Sequence, residues 1–84
     1  IMETKNLHLV IVSPEKTLFK GEVTDVTLPG SQGIFMVLPK HAPLISSLEK
    51  GTLTYTTAEG EQSLEITGGF VEVRKNEVSV CVEQ

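Results

Sequence analysis

Glycine and proline interrupt this chain every eight to twelve residues, and Val, Thr, Ile and Leu dominate the stretches between them. No window of twelve residues keeps an apolar stripe at helical spacing. Punctuation of this kind restricts the chain to short strands joined by turns, the pattern of an antiparallel sandwich or barrel. The strands are read at about 7–12, 17–20, 22–28, 34–38, 44–48, 52–57, 62–67, 70–75 and 78–83. A length of 84 residues leaves room for one small domain, 1–84, with 1–6 as an N-terminal lead. Ile1 ahead of Met2 reads as an addition before the natural start.

Two hairpins carry a register. If Glu59-Gly60 is the turn of the first, Ala58 faces Glu61, Tyr55 faces Leu64 and Leu53 faces Ile66. Thr56 then meets Ser63 and Thr54 meets Glu65 on the other face. With Lys75-Asn76 as the turn of the second, Arg74 faces Glu77, Val73 faces Val78 and Val71 faces Val80. Both pair like with like, and a slip of one residue spoils both. In Leu7 to Val12 one face holds Leu7, Leu9 and Ile11, the other His8, Val10 and Val12. Ile34 to Leu38 is apolar on both faces. A two-sheet sandwich buries one face of each sheet, so the surplus is covered by a loop or by a partner.

Several function classes fall away. The longest apolar runs, Leu9 to Val12 and Ile34 to Leu38, are far short of the roughly 20 residues of a membrane span. No basic-then-apolar leader is visible. One cysteine, Cys81, cannot build an internal disulfide and fits a reducing compartment. A net charge of −4 with scattered basic residues opposes binding to a nucleic-acid backbone. His8 and His41 are not at ligand spacing from each other or from Cys81, so neither a metal nor a cofactor is expected. Ser46, His41 and Asp25 could be drawn as a triad, but no nucleophile elbow surrounds the serine. Gly30-Ser31-Gln32-Gly33 lacks the lysine of a phosphate loop and reads as a turn needing positive φ. Lys40 stands in Pro39-Lys40-His41-Ala42-Pro43, a poor match to the hairpin tip of a lipoyl carrier. Cys81, between Val80 and Val82, reads as a small buried residue. The stretch from Pro29 to Pro43, rigid and without an acid, suits a docking surface because little entropy is lost on binding.

Motifs running in order through the chain carry a resemblance. They are Val12-Ser13-Pro14-Glu15, Leu18-Phe19-Lys20-Gly21-Glu22-Val23, and Leu28-Pro29-Gly30-Ser31-Gln32-Gly33. Val37-Leu38-Pro39-Lys40-His41-Ala42-Pro43-Leu44, Gly51, Thr67-Gly68-Gly69-Phe70-Val71-Glu72-Val73 and Asn76-Glu77-Val78-Ser79-Val80 complete the set. Together they resemble the N-terminal domain of the epsilon subunit of bacterial rotary ATP synthases, over about residues 7–83. The resemblance implies an all-β fold, a flattened antiparallel β-sandwich of about ten short strands with no substantial helix. It implies no catalysis in this subunit. The implied role is that of a central-stalk (rotor) subunit bridging the gamma subunit and the membrane c-ring. Such a subunit helps couple proton flow to ATP synthesis in the alpha/beta head, at the cytoplasmic face of the bacterial plasma membrane and without inserting into it. By motif, Ser13 and the segment His41 to Ser46, with His41, Ala42, Pro43 and Ser46 singled out, fall where the family approaches gamma. Ser31, Gln32, Gly33, Ile34 and Phe35 fall where it meets the c-ring. The bland counterparts are a loop-internal hydrogen bond for His41, a turn role for Ser13 and a stiffening role for Pro43.

Two departures alter what the resemblance implies. Gln32 and Ile34 stand where the family carries acids, and Met36 where glycine is common. Docking there is expected to rest on Ile34 and Phe35 contact and Gln32 hydrogen bonds, with weak salt dependence. The family's C-terminal helical hairpin has no counterpart within these 84 residues, so hairpin-based inhibition is not expected of this polypeptide. The reading from a different class is a free-standing β-sandwich that binds a small ligand or carbohydrate. With no Trp and one Tyr, the aromatic platform such a module needs is thin.

Overall fold

The computed structural model describes residues 6–84; the lead at 1–5 lies outside the described residues. Asn6 is placed, its side-chain amide 3.4 Å from Glu22 Oε1. Nine strands follow one another: β1 (Leu7–Val12), β2 (Thr17–Val23), β3 (Asp25–Gly30), β4 (Gly33–Val37), β5 (Leu44–Leu48), β6 (Gly51–Thr57), β7 (Gly60–Ile66), β8 (Gly68–Arg74) and β9 (Glu77–Glu83). The all-β expectation holds. The strands form one curled sheet in the order β2-β1-β9-β8-β5-β3-β6-β7, with β4 added to β3. β5 and β3 share a single pair, Gly30 with Leu48. The sheet turns over at this thin joint and closes on itself. On the far side β2 meets β6, where the Phe19 and Tyr55 rings lie 4.6 Å apart and 44° inclined. The Cα extents of 40 × 26 × 20 Å give a flattened body, its short dimension fitting two layers spaced at about 10 Å with their side chains.

Alternation decides the core. Leu7, Leu9 and Ile11 of β1 are fully buried while His8, Val10 and Val12 are half-buried. Val71 and Val73 of β8 and Val78, Val80 and Val82 of β9 face the same interior, joined by Val23, Val26, Leu28, Val37, Leu48, Leu53 and Ile66. Among the described residues no polar or charged residue is buried. The interior is therefore held by apolar burial, about 25 cal/mol per Å², and by the hydrogen bonds of the sheet.

Four details differ from the sequence reading. β1 and β9 pair in parallel, Leu9 with Val78 and Ile11 with Val80. A parallel pair needs a long crossover, and β2 to β8 supply it. The second strand does not break at Gly21, which stays in β2 opposite Leu9. The Phe19 ring lies over it, 3.3 Å from where a Cβ would stand, so the glycine marks a close approach and not a turn. The break falls at Thr24, whose N–H donates to the Thr56 carbonyl at 2.9 Å. The first hairpin turns at Ala58-Glu59: Thr57 pairs with Gly60, Leu53 with Leu64 and Tyr55 with Gln62. Gly60, at φ 116°, follows this turn in place of forming it, and the register runs unbroken from its pair with Thr57. The slip is by two residues, so every side chain keeps its face. The second hairpin has the expected register, Arg74 with Glu77, Val73 with Val78 and Val71 with Val80. Lastly, Cys81 is half-exposed. The alternation that buries Val80 and Val82 turns the residue between them outward, opposite Phe70 on β8 and Val12 on β1.

Candidate docking surface

The outer face of the β5-β8-β9-β1 half carries large exposed apolar side chains among polar ones. Ile45 is 72% and Phe70 52% exposed. The cross-strand register lines up Ser47, Phe70, Cys81 and Val12 in one row and Ile45, Glu72, Ser79 and Val10 in the next. A shallow cleft of about 360 Å³ opens beside Phe70, with Ser13 and Pro14 on its other wall. Ser13 closes its own turn: its N–H donates to the Lys16 carbonyl at 2.8 Å and its hydroxyl to the same carbonyl at 3.2 Å. Ser13 is thus both a turn residue and a wall of this cleft.

The proline-bracketed loop borders the same face. Its N–H at His41 donates to the Leu38 carbonyl at 3.1 Å. This is a turn over Leu38–His41 with Pro39 at its second position and Lys40, at φ 70°, at its third, the arrangement of a type II turn. His41 Nδ1 lies 2.7 Å from the Ala42 carbonyl. A carbonyl only accepts, so Nδ1 is the donor in this contact. The loop-internal hydrogen bond foreseen for His41 is therefore made. Pro43 and Ile45 edge a second shallow hollow with Glu72, Val73 and Arg74. Ser46 pairs with Val71 and is half-buried on the inner side of β5. Its outward neighbours are Ile45 and Ser47.

The second candidate region is the β3–β4 hairpin. Gly30 pairs with Gly33 around Ser31-Gln32, and Gly33 stands at φ 126°, the positive-φ turn expected there. Ser31 is tied to the end of β5 by its N–H to the Ser47 carbonyl at 3.1 Å and by its hydroxyl, which accepts from Ser47 Oγ at 3.0 Å. Of the two apolar faces of β4, no loop covers the outer one: Ile34 is 78%, Met36 52% and Leu38 51% exposed. Phe35 points the other way, packed on the core and against Gly30. Sequence reasoning placed Met36 and Leu38 in the apolar surplus and Ile45 in the His41 to Ser46 segment without singling them out, and it missed Phe70 as a surface residue. For Ile45 the signal was present, since Leu44 and Leu48 share a face and leave it outside.

The hypothetical triad is not assembled by hydrogen bonds. Asp25 accepts from Thr24 Oγ1 at 2.9 Å and Thr56 Oγ1 at 3.1 Å. Ser46 Oγ donates to the Ser47 carbonyl at 3.0 Å. Among the described residues no cluster of His, Cys, Asp or Glu is arranged to hold a metal, and no helix is long and apolar enough to cross a membrane.

The comparisons with known proteins agree with the motifs. A family model described as the ATP synthase, Delta/Epsilon chain, beta-sandwich domain matches residues 6–84. The ATP synthase epsilon chain of Leptospira borgpetersenii serovar Hardjo-bovis (strain JB197) is 42% identical over 82 residues, which is 98% of this chain and 65% of that one. The epsilon chain of Desulfitobacterium hafniense (strain DSM 10664 / DCB-2) is 44% identical over 75 residues, 89% of this chain and 57% of that one. The chain therefore spans less than two thirds of the curated relatives it matches. A chain in the cryo-EM structure of Euglena gracilis mitochondrial ATP synthase (OSCP/F1/c-ring, rotational state 1) superposes with TM-score 0.90 at 21% identity, over 96% of this chain and 52% of that one. One in the Tetrahymena thermophila mitochondrial ATP synthase central stalk/c-ring superposes at 0.78 and 16% identity, over 100% of this chain and 67% of that one. These two likenesses concern the fold. On the family model and the relatives together, this chain belongs to the ATP synthase delta/epsilon chain β-sandwich family.

Proposed function

We propose that this chain acts as a non-catalytic rotor element of a proton-translocating ATP synthase. Its β-sandwich bridges the gamma subunit of the central stalk and the membrane c-ring, and so helps couple ion flow to ATP synthesis in the alpha/beta head. It works peripherally, at the cytoplasmic face of the bacterial plasma membrane. The observation that carries the reading is the pair of exposed apolar surfaces, Ile45 with Phe70 and Ile34 with Met36 and Leu38, in a chain of this family. The first belongs to the gamma contact, together with Ser13, His41, Ala42 and Pro43, while Ser46, on the inner side of β5, supports it from behind Ile45 and Ser47. The second belongs to the c-ring contact, together with Ser31, Gln32, Gly33 and Phe35. In that contact Phe35 props the turn from beneath while Ile34 supplies the surface.

The chemistry needed is desolvation and geometry. Burying an exposed Ile or Phe contributes about 1.5–3 kcal/mol, and a loop stiffened by two prolines loses little freedom on docking. The turn Ser31-Gln32 carries no charge, so the c-ring contact depends little on ionic strength. The experiment is a pull-down and calorimetric titration with the matching gamma subunit, alone and within the catalytic head. Stoichiometric binding that weakens with His41→Ala and Ile45→Ala but not with Ser63→Ala supports the reading. A folded chain that captures no gamma removes it.

A further inference from the structure

The exposed turn between β8 and β9 holds the docking loop through one side chain. Asn76 Oδ1 accepts the backbone N–H of Lys40 at 2.7 Å. The Asn76 carbonyl accepts the N–H of His8, at the start of β1, at 2.8 Å. One half-buried residue thus joins three segments far apart in sequence: the loop, the β8–β9 turn and β1. The point it grips is the strained one. Lys40 stands at φ 70°, in the position of a type II turn that favours glycine or asparagine. A non-glycine residue stays in that conformation only where its surroundings hold it. Pro39 sets the residue before it, and the Leu38–His41 hydrogen bond closes the turn. The acceptor for the Lys40 N–H comes from Asn76, in a turn distant in sequence. Lys40 is followed directly by His41, whose ring is oriented by the Ala42 carbonyl.

We propose that Asn76 is the positioning residue of the docking loop: by fixing Lys40 it presents His41 to the stalk partner in one orientation. The proposal rests on the docking reading above and adds a residue outside the docking surface to it. Asn76→Ala removes the acceptor, and Asn76→Asp keeps an oxygen in its place. Asn76→Gly, which suits a turn and also lacks the acceptor, replaces Asn76→Ala should that chain not fold.

Two measurements decide. In amide exchange followed by NMR, Asn76→Ala is expected to expose the Lys40 amide at least about tenfold, the full worth of one hydrogen bond. Val71, Val73, Val78 and Val80 keep their protection. In titration with gamma, Asn76→Ala is expected to bind roughly three- to tenfold more weakly, with Asn76→Asp close to the parent. An unchanged Lys40 amide overturns the clamp. A loosened loop with unchanged gamma affinity overturns the positioning role while leaving the docking reading intact. If the parent chain itself does not bind gamma, the docking reading fails first and the positioning role with it.

Discussion

Gly33 and Gly69 both stand at positive φ, 126° and 145°, but their surroundings differ. A Cβ on Gly33 meets nothing within 4 Å, whereas one on Gly69 would lie 2.1 Å from the Cys81 carbonyl oxygen. Gly33→Ala therefore suffers only the backbone conformation, about 1 kcal/mol. Gly69→Ala must also displace β9 and is expected to cost about 3 kcal/mol or more. At about 4–8 °C per kcal/mol for a domain of this size, thermal unfolding should separate the two by 8 °C or more. Equal losses at both sites would contradict this. The turn role of Gly33 was legible in the sequence, because Gly-Ser-Gln-Gly has no other local use. That of Gly69 was not: its constraint is a carbonyl on a strand twelve residues away, and only pairing reveals it.

At the scale of elements, the strand alternation was readable wherever one face was polar. β1, β8 and β9 bury the residues that their spacing selects. The β6–β7 hairpin shows the limit. Two turns one residue apart shift the register by two and place identical side chains inside, so periodicity could not separate them, and the pairing did. Closure between β2 and β6 was also hidden, because nothing in the sequence pairs Phe19 with Tyr55 across 36 residues. This ring contact joins the β2 edge of the sheet to β6, one strand in from the β7 edge. A double-mutant cycle with Phe19→Leu and Tyr55→Leu is expected to return a coupling of about 0.5–1.5 kcal/mol, read by denaturant unfolding. Strict additivity would mean the rings are neighbours without mutual stabilisation.

Across the whole molecule, the interior explains the fold and the exterior explains the use. Among the described residues nothing polar is buried, so the large apolar side chains left outside are not a shortage of room in the core. Ile34 and Met36 lie on β4 with Leu38 just past its end, and Ile45 and Phe70 lie on adjacent strands. The sequence revealed the surplus on β4 but not which half of it stays exposed, since both faces are apolar. Docking through Ile34 is expected to change less than threefold between about 50 and 150 mM salt, because no charged pair lies at the Ser31-Gln32 turn. A steep loss over that range would assign the contact to charges instead. Ile45→Asp sets a carboxylate opposite Glu72 on β8 and is expected to lower the unfolding free energy by about 1 kcal/mol, leaving the chain folded while placing a charge where gamma must exclude water.

That variant supplies the most direct test: calorimetric titration of gamma with the parent chain, with Ile45→Asp and with Ser63→Ala on the opposite half. The account predicts one-to-one binding by the parent and by Ser63→Ala, weakened at least about tenfold by Ile45→Asp. Binding by Ile45→Asp as tight as the parent's, or none by a folded parent chain, would contradict it.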